Sequence, residues 1–154
     1  MLIRSATQAD LPRLRAIAAE SPEAAQWPEA QWAALAGGDP SRLVLVAEAE
    51  GRVAGFLVAR EVAGEWELEN MAVAAGARRQ GVGAGLIAEL VETAVRRGSR
   101  AIHLEVRAAN TGARALYERC GFRQSGRRSQ YYNRPVDDAI LYIRKLGPKS
   151  PKND

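Results

Sequence analysis

Residues 77–86 read Ala77-Arg78-Arg79-Gln80-Gly81-Val82-Gly83-Ala84-Gly85-Leu86, and the rest of the chain is organised around them. An apolar strand-like run at 68–73 comes before this stretch, and an Ile87/Leu90/Val91/Ala94 stripe at helical spacing comes after it. Glycine lets successive backbone N–H groups turn toward one point with no Cβ in the way. The helix that follows adds unpaired first-turn N–H groups and the positive end of its dipole. Such a construction suits a phosphate, and a diphosphate better. Arg78 and Arg79 bring charge-assisted bonds that backbone alone cannot supply.

A Walker A loop needs Lys-Ser/Thr after its last glycine, and this chain has Ala84-Gly85 there. A dinucleotide fingerprint turns directly off its strand and ends on a third glycine. Here residues 74–80 intervene, and counting from Gly81 and Gly83 the third position is Leu86. A glycine-rich helix start with solvated arginines is the bland alternative. The arrangement Arg79-Gln80-x-x-Gly83, set in MAV…ARRQGVGAGL, resembles the acetyl-CoA pyrophosphate loop of the GNAT N-acetyltransferases. The resemblance implies acetyl-CoA as cosubstrate. It would be held along Met71, Ala72 and Val73 and through Arg78, Arg79, Gln80, Gly81, Val82, Gly83 and Ala84.

With 154 residues, 47% of them hydrophobic and 26% charged, the chain is long enough for one domain with a sizeable core. Residues 1–146 are expected to form it, and the Pro- and Lys-rich stretch 147–154 reads as a frayed tail. A net charge of +4 suits a polyanionic cosubstrate or simply a solvated surface. The arginines are dispersed, which argues against a nucleic-acid face. One cysteine, Cys120, builds no disulfide framework, and one Cys with one His makes no zinc site, so no metal is expected. No apolar run approaches membrane-spanning length and no signal-peptide core opens the chain, so a cytoplasmic monomer or homodimer without a membrane partner is expected.

Along the chain, 2–5 reads as a strand, and Thr7 with Asp10 as a capping signature before a Leu11/Leu14/Ile17/Ala18 helix face. A short helix follows around Trp27-Pro28 and Trp32, tryptophans that suit either core or the wet rim of a cleft. Strands are expected at 43–47, 53–59 and 66–73, with turns at 50–52 and Gly64. A helix from 81 to about 97, a strand at 101–106, a helix starting at Asn110 or Thr111, and strands at 122–125 and 139–146 complete the order. The result is an α+β layout with a mixed, mostly antiparallel sheet flanked by helices. It is the order of the GNAT fold, in which the resemblance implies that the strand before the loop and the strand after its helix splay around the cosubstrate.

Along 101–107, Ile102, Leu104 and Val106 alternate with His103, Glu105 and Arg107. On its own Glu105 reads as a solvated strand carboxylate. The run LEVRAANTGARALYERCGF at 104–122, however, resembles the RimI branch of the family, which acetylates the α-amino groups of protein N-termini. Carried over, the resemblance makes Glu105 the general base, Tyr117 the general acid and Asn110 a cosubstrate contact. It extends through Arg128, Tyr131, Tyr132 and Asp138.

The chemistry accounts for these residue types. An α-amine with a pKa near about 8 arrives mostly as ammonium and must lose a proton before it attacks a thioester. The oxyanion then needs donors, with backbone N–H groups near Met71 to Val73 as candidates, and the departing thiolate needs a proton. Glu67 is the rival base, because histone-type members of the family take theirs from the strand before the loop. Alternation puts Glu67 and Glu69 on the Met71/Val73 face. Trp27, Trp32, Glu67, Glu69, Tyr131 and Tyr132 are the candidate acceptor-side residues. The implied reaction is acetyl transfer to a protein N-terminus, typically ribosomal in this branch. A small-molecule amine as acceptor, or a non-catalytic acyl-CoA-binding module, are the alternatives.

Overall fold

The computed structural model describes residues 1–147, so residues 148–154 of the expected tail lie outside the described residues. The elements are β1 (Leu2–Ser5), α1 (Leu11–Ala19), α2 (Glu29–Leu35), β2 (Arg42–Ala49), β3 (Arg52–Val62), β4 (Glu65–Val73), α3 (Val82–Arg96), β5 (Ala101–Arg107), α4 (Thr111–Arg119), β6 (Arg123–Asn133) and β7 (Val136–Lys145). One sheet carries them all in the order β1-β2-β3-β4-β5-β7-β6, antiparallel except between β4 and β5. The expected α+β layout is therefore present. Among the described residues no helix is long and apolar enough to cross a membrane.

The apolar run in β3 explains the layering. Leu57 and Ala59 pack under α3 and α4 with Leu86, Leu90, Ile102, Tyr117 and Tyr142. Phe56 and Val58 point the other way, against Leu14 and Ile17 of α1 and Trp32 of α2. A strand covered on both faces reads as continuous apolar sequence rather than as alternation. Beyond β4 the second face carries no helix among the described elements, and there the β5 side chains His103, Glu105 and Arg107 are all partly exposed.

The ladder between β4 and β5 holds for three residue pairs, Glu65–Ala101, Trp66–Ile102 and Glu67–His103, and then ends. From there the two strands part, as the resemblance implied. A β-bulge sits beside the parting: Val58 pairs with Asn70 and Ala59 with Leu68, which leaves Glu69 as the extra residue on β4.

This bulge corrects the expected facing of the two glutamates. Trp66, Leu68, Met71 and Val73 all pack toward α3, whereas Glu67 lies on the opposite face. Glu69 is likewise drawn away from the Met71/Val73 face, to Arg42 Nε at 3.0 Å. Simple alternation failed because the inserted residue resets it.

The closing hairpin also departs from expectation, with strands of 11 and 10 residues where short ones at 122–125 and 139–146 were expected. β6 is an edge strand and nearly all its residues are exposed, so it carries no apolar alternation to read.

At the far edge, Arg4 clamps the start of the chain. It donates to both Asp10 oxygens at 2.8 and 3.0 Å and to Glu48 Oε1 at 2.8 Å. Asp10 also accepts the Thr7 N–H at 2.7 Å, the expected capping contact. The bonds from Arg4 come first in lowering the Asp10 carboxyl from 3.8 to about 2. A depressed folded value means that the stabilisation is present above about pH 4 and is lost as pH falls toward about 2. Asp10→Asn is expected to cost about 1–2 kcal/mol near pH 7 in urea unfolding, and the difference from wild type should vanish near pH 2.

Candidate active site

The glycine loop begins where the Ala74 N–H closes the β3–β4 ladder on the Ala54 carbonyl at 2.8 Å. A 3-10 turn at Ala75–Ala77 follows, then Arg79 at φ 64 and Gly81 at φ 81 as the N-cap of α3. A left-handed arginine is a costly conformation, of the kind found where a loop is shaped for a ligand. The first α3 bond runs from the Gly85 N–H to the Gly81 carbonyl at 3.0 Å. The N–H groups of Val82, Gly83 and Ala84 therefore have no partner in the helix. A Cβ on Gly83 would lie 3.0 Å from Leu116 Cδ2, so the glycine lets α3 approach α4 closely. Val82 is only 2% exposed and faces the core, which leaves its backbone as its share of the site.

The structure separates the two arginines that the sequence grouped. Arg78 donates from Nε to the Val73 carbonyl and from Nη2 to Ser21 Oγ, both at 3.3 Å, and so braces the loop against the end of α1. Arg79 is exposed, with no hydrogen bond or ion pair among the described residues. The Gln80 amide reaches the Gly76 carbonyl across the loop at 3.5 Å. A flexible, uncommitted guanidinium beside free N–H groups fits a diphosphate.

Strand geometry gives the donors at the parting. The Ala74 N–H points to β3, and successive N–H groups along a strand alternate. The Ala72 N–H therefore also points to β3, and those of Met71 and Val73 point away from it, toward the gap left by β5.

Glu105 lies on the face away from α3, beside that gap. Arg128 Nη2 stands 3.6 Å from its Oε1. Tyr132 is close enough that the Glu105 charge, after burial itself, pushes its phenol up. Tyr131 and Tyr132 pack edge to face at 5.1 Å, so the hairpin brings both expected acceptor-side tyrosines to the Glu105 side. Tyr117 occupies the other face, 7% exposed within the α3–α4 core, where burial first and Cys120 and Tyr132 after it push its phenol well up. It therefore keeps its proton, and its hydroxyl has no hydrogen-bond partner among the described residues.

The remaining candidates divide. Trp32 is 5% exposed and packs 5.8 Å from Phe56, which makes it core; Trp27, 5.1 Å from Trp32, is half-buried. Asn110 caps α4, its Oδ1 accepting the Ala113 N–H at 3.1 Å. Glu67 is exposed and sits across from His103 at the last paired rung, while Glu69 is held by Arg42.

Two residues that sequence reasoning passed over shape the site. Arg107 stacks over the Tyr132 ring at 4.2 Å and donates to the Pro135 and Arg134 carbonyls at 2.8 and 3.3 Å, clamping the hairpin turn. Its place on the Glu105 face was readable; its partners were not. Asn70, brought to the α1 face by the bulge, donates to the Ala25 carbonyl at 3.1 Å and so anchors the loop leading to Trp27. That depends on the bulge, which leaves no sequence signal.

A family profile described as the Acetyltransferase (GNAT) family matches residues 7–122. The [ribosomal protein bS18]-alanine N-acetyltransferase of Escherichia coli (strain K12) is 40% identical over 82 residues, 53% of this chain and 55% of that protein. Its counterpart in Salmonella typhimurium is 38% identical over 95 residues, 60% of this chain and 64% of that one. The alignments thus span little more than half the length of these curated relatives. The crystal structure of the E. coli ribosomal-protein-S18-alanine N-acetyltransferase superposes with a TM-score of 0.83 at 30% identity, covering 99% of this chain and 97% of the other. That of the ribosomal-protein-alanine N-acetyltransferase from Brucella melitensis gives 0.80 at 33%, covering 95% and 100%. The matched segment runs from the Thr7 cap through the glycine loop and Tyr117 to Phe122, and the chain belongs to the GNAT acetyltransferase family.

Proposed function

We propose that this protein is an N-acetyltransferase that uses acetyl-CoA to acetylate the N-terminal α-amine of a protein, with Glu105 as general base and Tyr117 as general acid. One observation carries the reading. Glu105 faces the open side of the sheet beside the parting of β4 and β5, and the Tyr117 phenol lies on the other side of the sheet, within the α3–α4 core. The relatives' printed activity, acetylation of a ribosomal-protein alanine, supports the same class of acceptor.

Acetyl-CoA supplies the thioester acetyl group. Its diphosphate fits the Val82, Gly83 and Ala84 N–H groups together with Arg79. Across the sheet, Glu105 takes the proton of the incoming ammonium, and the freed amine attacks the thioester carbonyl to form the C–N bond. The Met71 and Val73 N–H groups donate to the developing oxyanion. As the C–S bond breaks, Tyr117 passes its proton to the departing sulfur, and the acetylated nitrogen sheds its surplus proton to solvent. Tyr131 and Tyr132 grip the first residues of the acceptor. A lysine side chain, with a pKa about 2.4 units above an α-amine, is deprotonated roughly two hundred times less often near neutral pH, which favours the α-amine.

Arg79→Ala is expected to weaken acetyl-CoA binding at least about tenfold by calorimetry. Arg96→Ala, a change on the α3 surface among Glu89 and Glu92, should leave it intact; equal affinities would remove the diphosphate assignment.

Tyr117→Phe deletes a hydroxyl with no hydrogen-bond partner among the described residues, so the unfolding midpoint should hold while kcat falls about a hundredfold. Wild-type single-turnover rates in that variant would take the acid role away from Tyr117.

Glu105→Gln is expected to lower kcat/KM for an Ala-initiated peptide by about a hundredfold, and Glu67→Gln by much less. The larger loss in Glu67→Gln would move the base to β4. Preferential acetylation of internal lysines, or of small amines, would overturn the N-terminal reading.

A further inference from the structure

Arg128 holds an unusual position for a basic residue on an edge strand. Its Nη2 lies 3.6 Å from Glu105 Oε1, and its guanidinium carbon lies 5.4 Å over the Tyr131 ring. In a regular strand, residues three apart point to opposite faces. Here β6 carries an irregularity between Arg128 and Tyr132, which advance four residues while their partners, Ala139 and Asp137, advance two. Asp138 pins this bulge, accepting the Gln130 N–H at 2.8 Å and Arg127 Nε at 2.6 Å. The distortion therefore puts Arg128 and Tyr131 together above one carboxylate.

The other cationic groups near Glu105 are committed elsewhere, and the nearby Glu67 carries the same sign as Glu105. Along β5, His103 lies 3.3 Å from Glu65, and Arg107 is held by the Tyr132 ring and the Arg134 and Pro135 carbonyls. From β6 comes Tyr132, and the β7 residue opposite Glu105 is Leu141, which has no charge. Arg128 is thus the cation that meets Glu105, and it does so loosely: the contact is too long for a hydrogen bond and the side chain is 55% exposed. An ion pair of that kind is weak enough to be exchanged.

We propose that Arg128 is an internal stand-in for the acceptor's ammonium. It neutralises Glu105 in the free protein, and a cationic acceptor must displace it along the Tyr131 ring to reach the carboxylate. Arg128 is then a gating residue for acceptor entry. The inference rests on the assignment of Glu105 as base.

The test uses the full chain with Arg128→Gln, Arg128→Lys, Glu105→Gln and the Arg128→Gln/Glu105→Gln pair. An Ala-initiated hexapeptide serves as acceptor, and the same peptide with a blocked N-terminus as control. Binding is measured by calorimetry with CoA present, alongside steady-state acceptor KM. Arg128→Gln is expected to lower both Kd and KM for the free peptide about threefold, the scale of an exposed ion pair. Arg128→Lys should restore wild-type values, and the blocked peptide should gain nothing. In the Glu105→Gln background the gain should disappear, which isolates the coupling between the two residues.

A rise in Kd or KM in Arg128→Gln would overturn the proposal, because it would show that Arg128 grips the acceptor. An equal gain with and without Glu105 would overturn it too. Wild-type kcat in Glu105→Gln is a different failure, since it removes the base assignment and the gate with it.

Discussion

The parallel ladder between β4 and β5 lasts three rungs, and the rest of the site depends on where it stops. A continuous sheet would pair the Met71 and Val73 N–H groups with a neighbour. Ending the ladder at Glu67 leaves those donors aimed into a gap and opens a passage between the two faces. The Glu69 bulge disturbs β4 beside it, and Gly83 of α3 packs close by, where a Cβ would lie 3.0 Å from Leu116 Cδ2.

That passage divides the labour between faces. On one side lie the first turn of α3 with its free N–H groups, the left-handed Arg79 and the buried Tyr117. On the other, β5 and the β6–β7 hairpin surround Glu105 with tyrosine rings and guanidinium groups. Glu105 and Tyr117, the proposed base and acid, are twelve positions apart in the chain. The sheet lies between them.

Much of this architecture is held by arginines, and they show how one residue type takes on different work. Arg4 ties β1 to Asp10 and Glu48, Arg78 ties the glycine loop to α1, and Arg107 ties β5 to the hairpin turn. Each reaches carbonyls or carboxylates that a fork of donors can bridge. Arg79, without such partners, remains available to a ligand. The division follows from what each guanidinium can reach, which no local pattern encodes.

The order of elements and the α+β layout were legible in the chain itself. Alternation at 101–107, the helical stripe from Ile87 to Ala94 and the glycine punctuation are local signals, and the elements they marked are present, although β6 runs to Asn133 where an end at 125 was expected. The glycine loop and the Glu105/Tyr117 spacing were legible too, through their likeness to the GNAT pattern. Tertiary structure decided the rest. It placed Glu67 and Glu69 away from Met71, because a bulge adds a residue that alternation cannot count. It made Trp32 core, because α2 lies down on Phe56. It brought Arg128 to Glu105 through a distorted edge strand whose wet residues carry no periodicity. Periodicity reports which residues share a face within one element; which faces meet is settled only when elements distant in sequence compete for the same space.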